Sequence, residues 1–169
     1  MSSELRVDKI IPTAGVPTGG AGGVIQVVHE LASNFSTTST SFVDVTGCTV
    51  TITPKFATSK MIIMFSAYCY TSLASSHNQR IHFKMQRNGS DISNTYAVAA
   101  ESGSGGLQGK ASGAMTIFDS PNTTSAVTYK MIARNFHSQN LHINRSRIDS
   151  DSDVVARTAS SITVMEVSA

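Results

Sequence analysis

The side chains with the most chemical potential are five histidines, His29, His77, His82, His137 and His142, and one acidic run, Asp149-Ser-Asp151-Ser-Asp153. No His-x-His or HExxH spacing occurs, so no histidine pair is placed to grip a metal from one strand or one helical turn. In a trimer, an outward-facing histidine such as His142 would meet its copies on the axis and bind a metal there. Ordinary strand-face histidines are the simpler expectation. Asp149, Asp151 and Asp153 have the spacing of the first half of an oxygen-rich Ca²⁺ loop. The place of the sharp-turn glycine is taken by Val154 and that of the bidentate glutamate by Ser160, so an EF-hand is excluded. A looser Ca²⁺ site on the three aspartates stands as the weaker alternative to a solvated acidic loop.

Covalent and phosphate chemistry find less. Serine is abundant, but no G-x-S-x-G elbow is present. The glycine-rich stretches at 19–23 and 103–109 are followed by neither a Lys-Ser/Thr pair nor a helix, which excludes Walker and dinucleotide loops. Cys48 and Cys69 lie far apart in apolar alternating runs without a CxxC pair, and read as small buried hydrophobes. Asp119, Asp149, Asp151 and Glu101 are the carboxylates a hydrolase could pair, and sequence alone does not place two of them across a sugar. The expectation is a protein without catalytic residues, cofactor or resident metal.

Composition narrows the class. Of 169 residues, 40 % are hydrophobic and 14 % charged, against roughly 25 % charged in ordinary soluble domains. Ser, Thr, Asn and Gly make the surface polar but uncharged, as in β-rich extracellular or virion proteins. A net charge of +2 and two arginines in NRSR (Arg145, Arg147) make no nucleic-acid stripe, and read as solvated arginines at a strand end. No apolar run is long enough to span a bilayer, and residues 1–18 have no signal-peptide core. Synthesis in a cytoplasm and export only as part of an assembly are expected.

The elements that must position any site are strands. Val24–Glu30, Phe42–Thr46, Cys48–Thr53, Ala114–Asp119 and Ser161–Val167 alternate with period two. Lys60–Tyr70 is the most apolar run, rich in Ile and aromatics, and reads as a central strand buried on both faces for part of its length. Ile81, Phe83 and Met85 alternate with His82, Lys84 and Gln86 ahead of Asn88-Gly89, a type I′ hairpin turn. Ser33–Ser41 reads as a polar loop or weak edge strand, and Ala97–Gly113 as a long flexible loop suited to a binding surface. Val127–Phe136 and Gln139–Arg145 read as a second hairpin. No segment shows an apolar 3.6 period. About nine short strands imply an all-β, jelly-roll-like antiparallel sandwich over residues 24–169.

Residues 1–23 differ. Val7, Ile10 and Ile11, with Leu5, are the only apolar anchors in a stretch broken by Pro12 and Pro17. Gly19, Gly20, Gly22 and Gly23 close it as a hinge. Such a segment cannot offset its own ordering entropy, so an extended arm that orders on a partner is expected, as a strand added to another sheet.

SELRVDKIIPTAGVPTGGAGGVIQV, SKMIIMFSAY, FKMQRNGS, FDSPNTTSAVTYK and SSITVMEV together resemble a group of marine bacteriophage proteins, above all from cyanophages, described as tail-fibre-like or other virion structural proteins. That resemblance implies a jelly-roll-type domain, a homotrimer and a place on the virion. Taken with the arm, it leads to a non-enzymatic short fibre or appendage. The arm (Leu5, Val7, Ile10, Ile11) docks on a tail or capsid protein, and the knob projects toward a host surface glycan or protein. A capsid decoration protein and a lectin-like carbohydrate-binding domain are the competing expectations.

Overall fold

The computed structural model describes residues 23–71, 79–100, 109–145, 149 and 157–168. The anchoring residues Leu5, Val7, Ile10 and Ile11, the hinge residues Gly19, Gly20 and Gly22, and Asp151 and Asp153 lie outside the described residues.

Among the described residues, eleven strands form two antiparallel sheets. The first holds β1 (Val24–Leu31), β2 (Phe35–Thr37), β4 (Lys60–Thr71), β8 (Gly109–Asp119), β10 (Leu141–Ile143) and β11 (Ser161–Val167). The second holds β3 (Val43–Ile52), β5 (Gln79–Arg87), β6 (Ser90–Asp91), β7 (Tyr96–Ala100) and β9 (Val127–Asn135). This is the all-β, jelly-roll-like sandwich the alternation implies.

β4 is the spine of the first sheet. One edge pairs with β8 along its length, from Met61↔Asp119 to Thr71↔Gly109. The other edge is shared, with β11 along Lys60–Ser66 and β10 along Cys69–Thr71. Met61, Ile63, Phe65, Ala67 and Cys69 point inward and are buried. They meet Ile81, Phe83 and Met85 of β5 and Tyr129, Met131 and Ala133 of β9 in one apolar core. The rings of Phe65 and Phe83 lie 5.4 Å apart at 54°, a tilted aromatic contact between the sheets.

Four local expectations change. The two strands read around Gly47 are one, Val43–Ile52, because Gly47 takes φ +79° where the register shifts between Asp44 and Thr49. The positive φ absorbs the bulge without ending the strand. Residues 97–113 are not one loop: β7 and β8 claim Tyr96–Ala100 and Gly109–Gly113. The small residues of 109–114 have little strand propensity, but the free edge of β4 leaves backbone groups that need partners. Val127–Asn135 and Leu141–Ile143 are not a hairpin either. β9 stays in the second sheet while β10 crosses to the first, since Leu141 and Ile143 are both needed in the core. Within Ser33–Ser41, only Phe35–Thr37 is strand, paired with β10.

The Asn88-Gly89 turn is as expected, with φ +48° and +84°. The two described glycines with positive φ, Gly47 and Gly89, differ in surroundings. A Cβ on Gly47 would lie 2.6 Å from the Ser33 amide nitrogen and 3.0 Å from the Leu31 carbonyl, whereas one on Gly89 meets nothing within 4 Å. Gly47→Ala should therefore cost more than Gly89→Ala, which carries only the conformational penalty of about 1 kcal/mol. Urea unfolding of the two variants checks the order; equal losses would contradict it.

Candidate functional site

The outward side of the first sheet is built by the same alternation that fills the core. Register places Val27, Met165, Ile62 and Phe118 in one row across β1, β11, β4 and β8. The next row is His29, Thr163, Met64 and Thr116, and the one after it Leu31, Ser161, Ser66 and Ala114. Val24, Val167 and Lys60 close the other end. Exposure is high for apolar groups: Phe118 74 %, Leu31 59 %, Val24 56 %, Val27 54 % and Met64 37 %. None of these positions carries Asp or Glu. Lys60 sits at a corner, its Nζ donating to Ser120 Oγ at 2.9 Å, and His29 Nδ1 meets Thr163 Oγ1 at 2.8 Å. Where β4 and β8 continue past these rows, Ser66, Tyr68, Ser112, Ala114 and Ala159 line a shallow groove of about 350 Å³. Contiguous apolar surface of this kind marks an interaction site.

Among the described residues, the chemistry-bearing side chains do not gather into a site. His142 is buried, with Nδ1 3.3 Å from both Nε and Nη2 of Arg145. Its burial corrects the expectation of an outward-facing His142 placed to meet its copies around a metal. Accepting from Arg145 requires an unprotonated Nδ1, and the remaining Nε2 is buried without a partner among the described residues. Arg145 is half-buried rather than solvated, and its Nη1 also lies 3.2 Å from Asp149. Asp149 receives Arg157 as well, at 3.2 Å. Two arginines thus occupy the one described member of the acidic run. Among the described residues no group of three or more His, Cys, Asp and Glu is placed to hold a metal.

Asp119 is likewise engaged. Arg87 Nη1 donates to both its oxygens at 2.9 Å and Tyr129 Oη to one at 2.6 Å. No second carboxylate joins it among the described contacts. Cys48 and Cys69 are free and buried, and burial pushes both thiols up to about 12, so neither is a thiolate at neutral pH. Gly23, the last of the expected hinge glycines, is tied to Ser168: its carbonyl accepts from the Ser168 amide at 2.9 Å and its amide donates to Ser168 Oγ at 3.1 Å.

Sequence reading found the double-sided apolar character of Lys60–Tyr70 but not the surface it builds. Val27, Met165 and Phe118 lie far from it in the chain and join only through register. The available signal was the second apolar set in KMIIMF, which a single sandwich core cannot cover.

No protein-family model matches the chain, and no curated protein matches it. Solved structures are similar in part, and three of them are these. Eiger TNF from S. frugiperda is 11 % identical over 84 % of this chain and 93 % of its own, with a TM-score of 0.37. Dimeric latent PorU from Porphyromonas gingivalis is 10 % identical over 90 % of this chain but 14 % of its own, at 0.38. The VP2 subviral particle of infectious bursal disease virus is 14 % identical over 85 % and 37 %, at 0.34. At these scores the likenesses carry no functional assignment.

His142 and His82 share one electrostatic pattern. Burial, with Arg145 beside His142 and Arg134 and Arg80 beside His82, lowers both below the ordinary histidine value of 6.5, although Asp149 works the other way on His142. The folded protein therefore binds fewer protons than the unfolded chain as pH falls through 6.5. Their stability contribution is complete above that pH and is lost below it, with a slope of up to ~1.4 kcal/mol per pH unit per histidine. Urea unfolding between pH 8 and 5 should show this decline, and His142→Gln should flatten part of it. Stability unchanged across that range would contradict the burial of neutral imidazoles.

Proposed function

We propose that the protein is a non-enzymatic structural component of a tailed-phage virion, a homotrimeric short appendage that presents its sandwich outward. The observation that carries the reading is the apolar, carboxylate-free face of β1, β11, β4 and β8. A surface without like charges can pack on copies of itself, and its occupant in this reading is a second and third copy of the chain. Each large apolar side chain it covers contributes roughly 1.5–3 kcal/mol when fully buried. Lys60 at the corner leaves the centre of the face free of formal charge, since His29 is the only titratable group in its rows.

The virion setting rests on the resemblance of the arm and the landmark segments to marine phage structural proteins. In this reading Leu5, Val7, Ile10 and Ile11 dock on a tail or capsid protein, and Gly19, Gly20 and Gly22 give angular play. The knob brings several copies of a weak contact to the host surface, which gains avidity without new chemistry.

Phe118→Asp is the sharpest single test, because the side chain is exposed in one chain and its carboxylates would repel across the assembly. Sedimentation should show wild-type trimer and variant monomer with the fold retained. A variant that keeps the wild-type mass would remove this face from the assembly. Deleting residues 1–22 should leave the oligomer intact and abolish incorporation into particles, checked by immunoblot of purified virions. Incorporation at normal levels would refute the anchoring role of the arm.

A further inference from the structure

The outer side of the second sheet has a different character. In β5, Arg80, His82, Lys84 and Gln86 alternate with the buried Ile81, Phe83 and Met85. Register sets His82 beside Arg134 and Lys84 beside Ile132 of β9. One step further, the Phe136 amide donates to the Arg80 carbonyl at 2.9 Å, which continues the pairing and sets Phe136 beside Arg80.

The lower part of this face is neutralised. Lys84 meets Asp91 at 2.6 Å and Lys130 meets Asp44 at 2.8 Å. The upper part is not. Among the described residues neither Arg80 nor Arg134 has a carboxylate partner. Arg134 is held in place instead: Nε donates to His82 Nδ1 at 3.1 Å, Nη1 lies 3.4 Å from the Thr40 carbonyl, and the guanidinium sits 5.0 Å from the Phe42 ring centroid. These contacts fix the fork while leaving its charge uncompensated. Beside it, Phe136 is 47 % exposed, T-shaped to His82 at 5.7 Å and to His137 at 4.6 Å. A half-exposed ring leaves apolar area on which another group can pack.

We propose that Arg80, Arg134 and Phe136 form a binding site for an anionic saccharide, with the guanidiniums taking a carboxylate or sulfate and the Phe136 ring taking the adjacent sugar's C–H face. A planar, always-charged fork matches such oxyanions in two-point geometry. An exposed ring next to that fork adds what a bare anion site lacks. The site stands on one chain and on the sheet opposite the self-association face, so its failure and that of the proposed assembly are separately visible.

The test is titration of the full-length protein with oligogalacturonate, dextran sulfate, neutral dextran and inorganic phosphate. The expected result is salt-sensitive binding of one or both anionic saccharides and none of neutral dextran. Arg80→Gln with Arg134→Gln should weaken it at least tenfold, and Phe136→Ala about threefold. Arg80→Gln alone, whose side chain makes no hydrogen bond among the described residues, should weaken it by severalfold and guards against unfolding of the double variant. Lys55→Gln removes one positive charge elsewhere, as Arg80→Gln does here, and should leave affinity unchanged. The proposal is overturned by the absence of saccharide binding at millimolar concentration, by binding of inorganic phosphate alone, by equal binding of neutral dextran, or by an equal loss in the lysine variant.

Discussion

Two sheets meet where Phe65 of β4 lies against Phe83 of β5, and that contact imposes a constraint on the whole molecule. A strand sends alternate side chains to opposite sides. Each residue of β4 that enters the core therefore has neighbours that must leave it. Ile62, Met64 and Tyr68 are those neighbours, and β11 and β8 add Met165 and Phe118 at the matching register. The apolar outer face is thus the other half of the core-forming pattern rather than an accident of one exposed residue. On the second sheet the same rule sends out Arg80, His82, Lys84 and Arg134. One sandwich therefore presents two outer faces of opposite character, the first apolar and the second basic.

Closure of the sandwich depends on a few buried polar groups that are satisfied from distant parts of the chain. Glu166 takes an inward position on β11 and is fully buried. It accepts from Gln26 Nε2 at 2.5 Å, from the Lys55 amide at 2.7 Å and from the Phe56 amide at 3.4 Å. Burial opposes its charge, but the neighbouring Ser59 hydroxyl, the Gln26 amide and the two backbone donors outweigh that and hold it below the ordinary glutamate value. Asn135 does similar work at the crossing between sheets, donating to Thr71 Oγ1 at 3.1 Å and to the Gln139 carbonyl at 2.8 Å. Asp119, Arg87 and Tyr129 tie the end of β8 to β5 and β9. Such networks fix which loop goes where, since a wrong pairing leaves a buried group unsatisfied.

Sequence alone carried the fold class because the strands that build the core, above all Cys48–Ile52, Ile81–Met85 and Ser161–Val167, alternate cleanly. It also carried the Asn88-Gly89 turn, whose conformation is written in its residue types. It failed where tertiary pairing overrides local preference. Gly109–Gly113 is strand because the edge of β4 needs partners, and Leu141–Ile143 leaves β9 for the other sheet because two apolar side chains need the core. The outer faces were harder still. Phe118 and Val27 lie 91 positions apart in the chain, and Arg80 and Phe136 become neighbours only through the register of β5 and β9. Pairing of that range has no local signal. His142 shows the same limit, since nothing in Leu-His-Ile distinguishes a buried imidazole from a solvent-facing one.

The central claim is that the face of β1, β11, β4 and β8 is covered by other copies of the chain. Light scattering of the full-length protein on a sizing column tests it most directly. The account predicts a single species of about three times the 17.9 kDa chain mass, unchanged on dilution through the micromolar range. A monomer at all concentrations would contradict it and leave that apolar face without the occupant proposed for it.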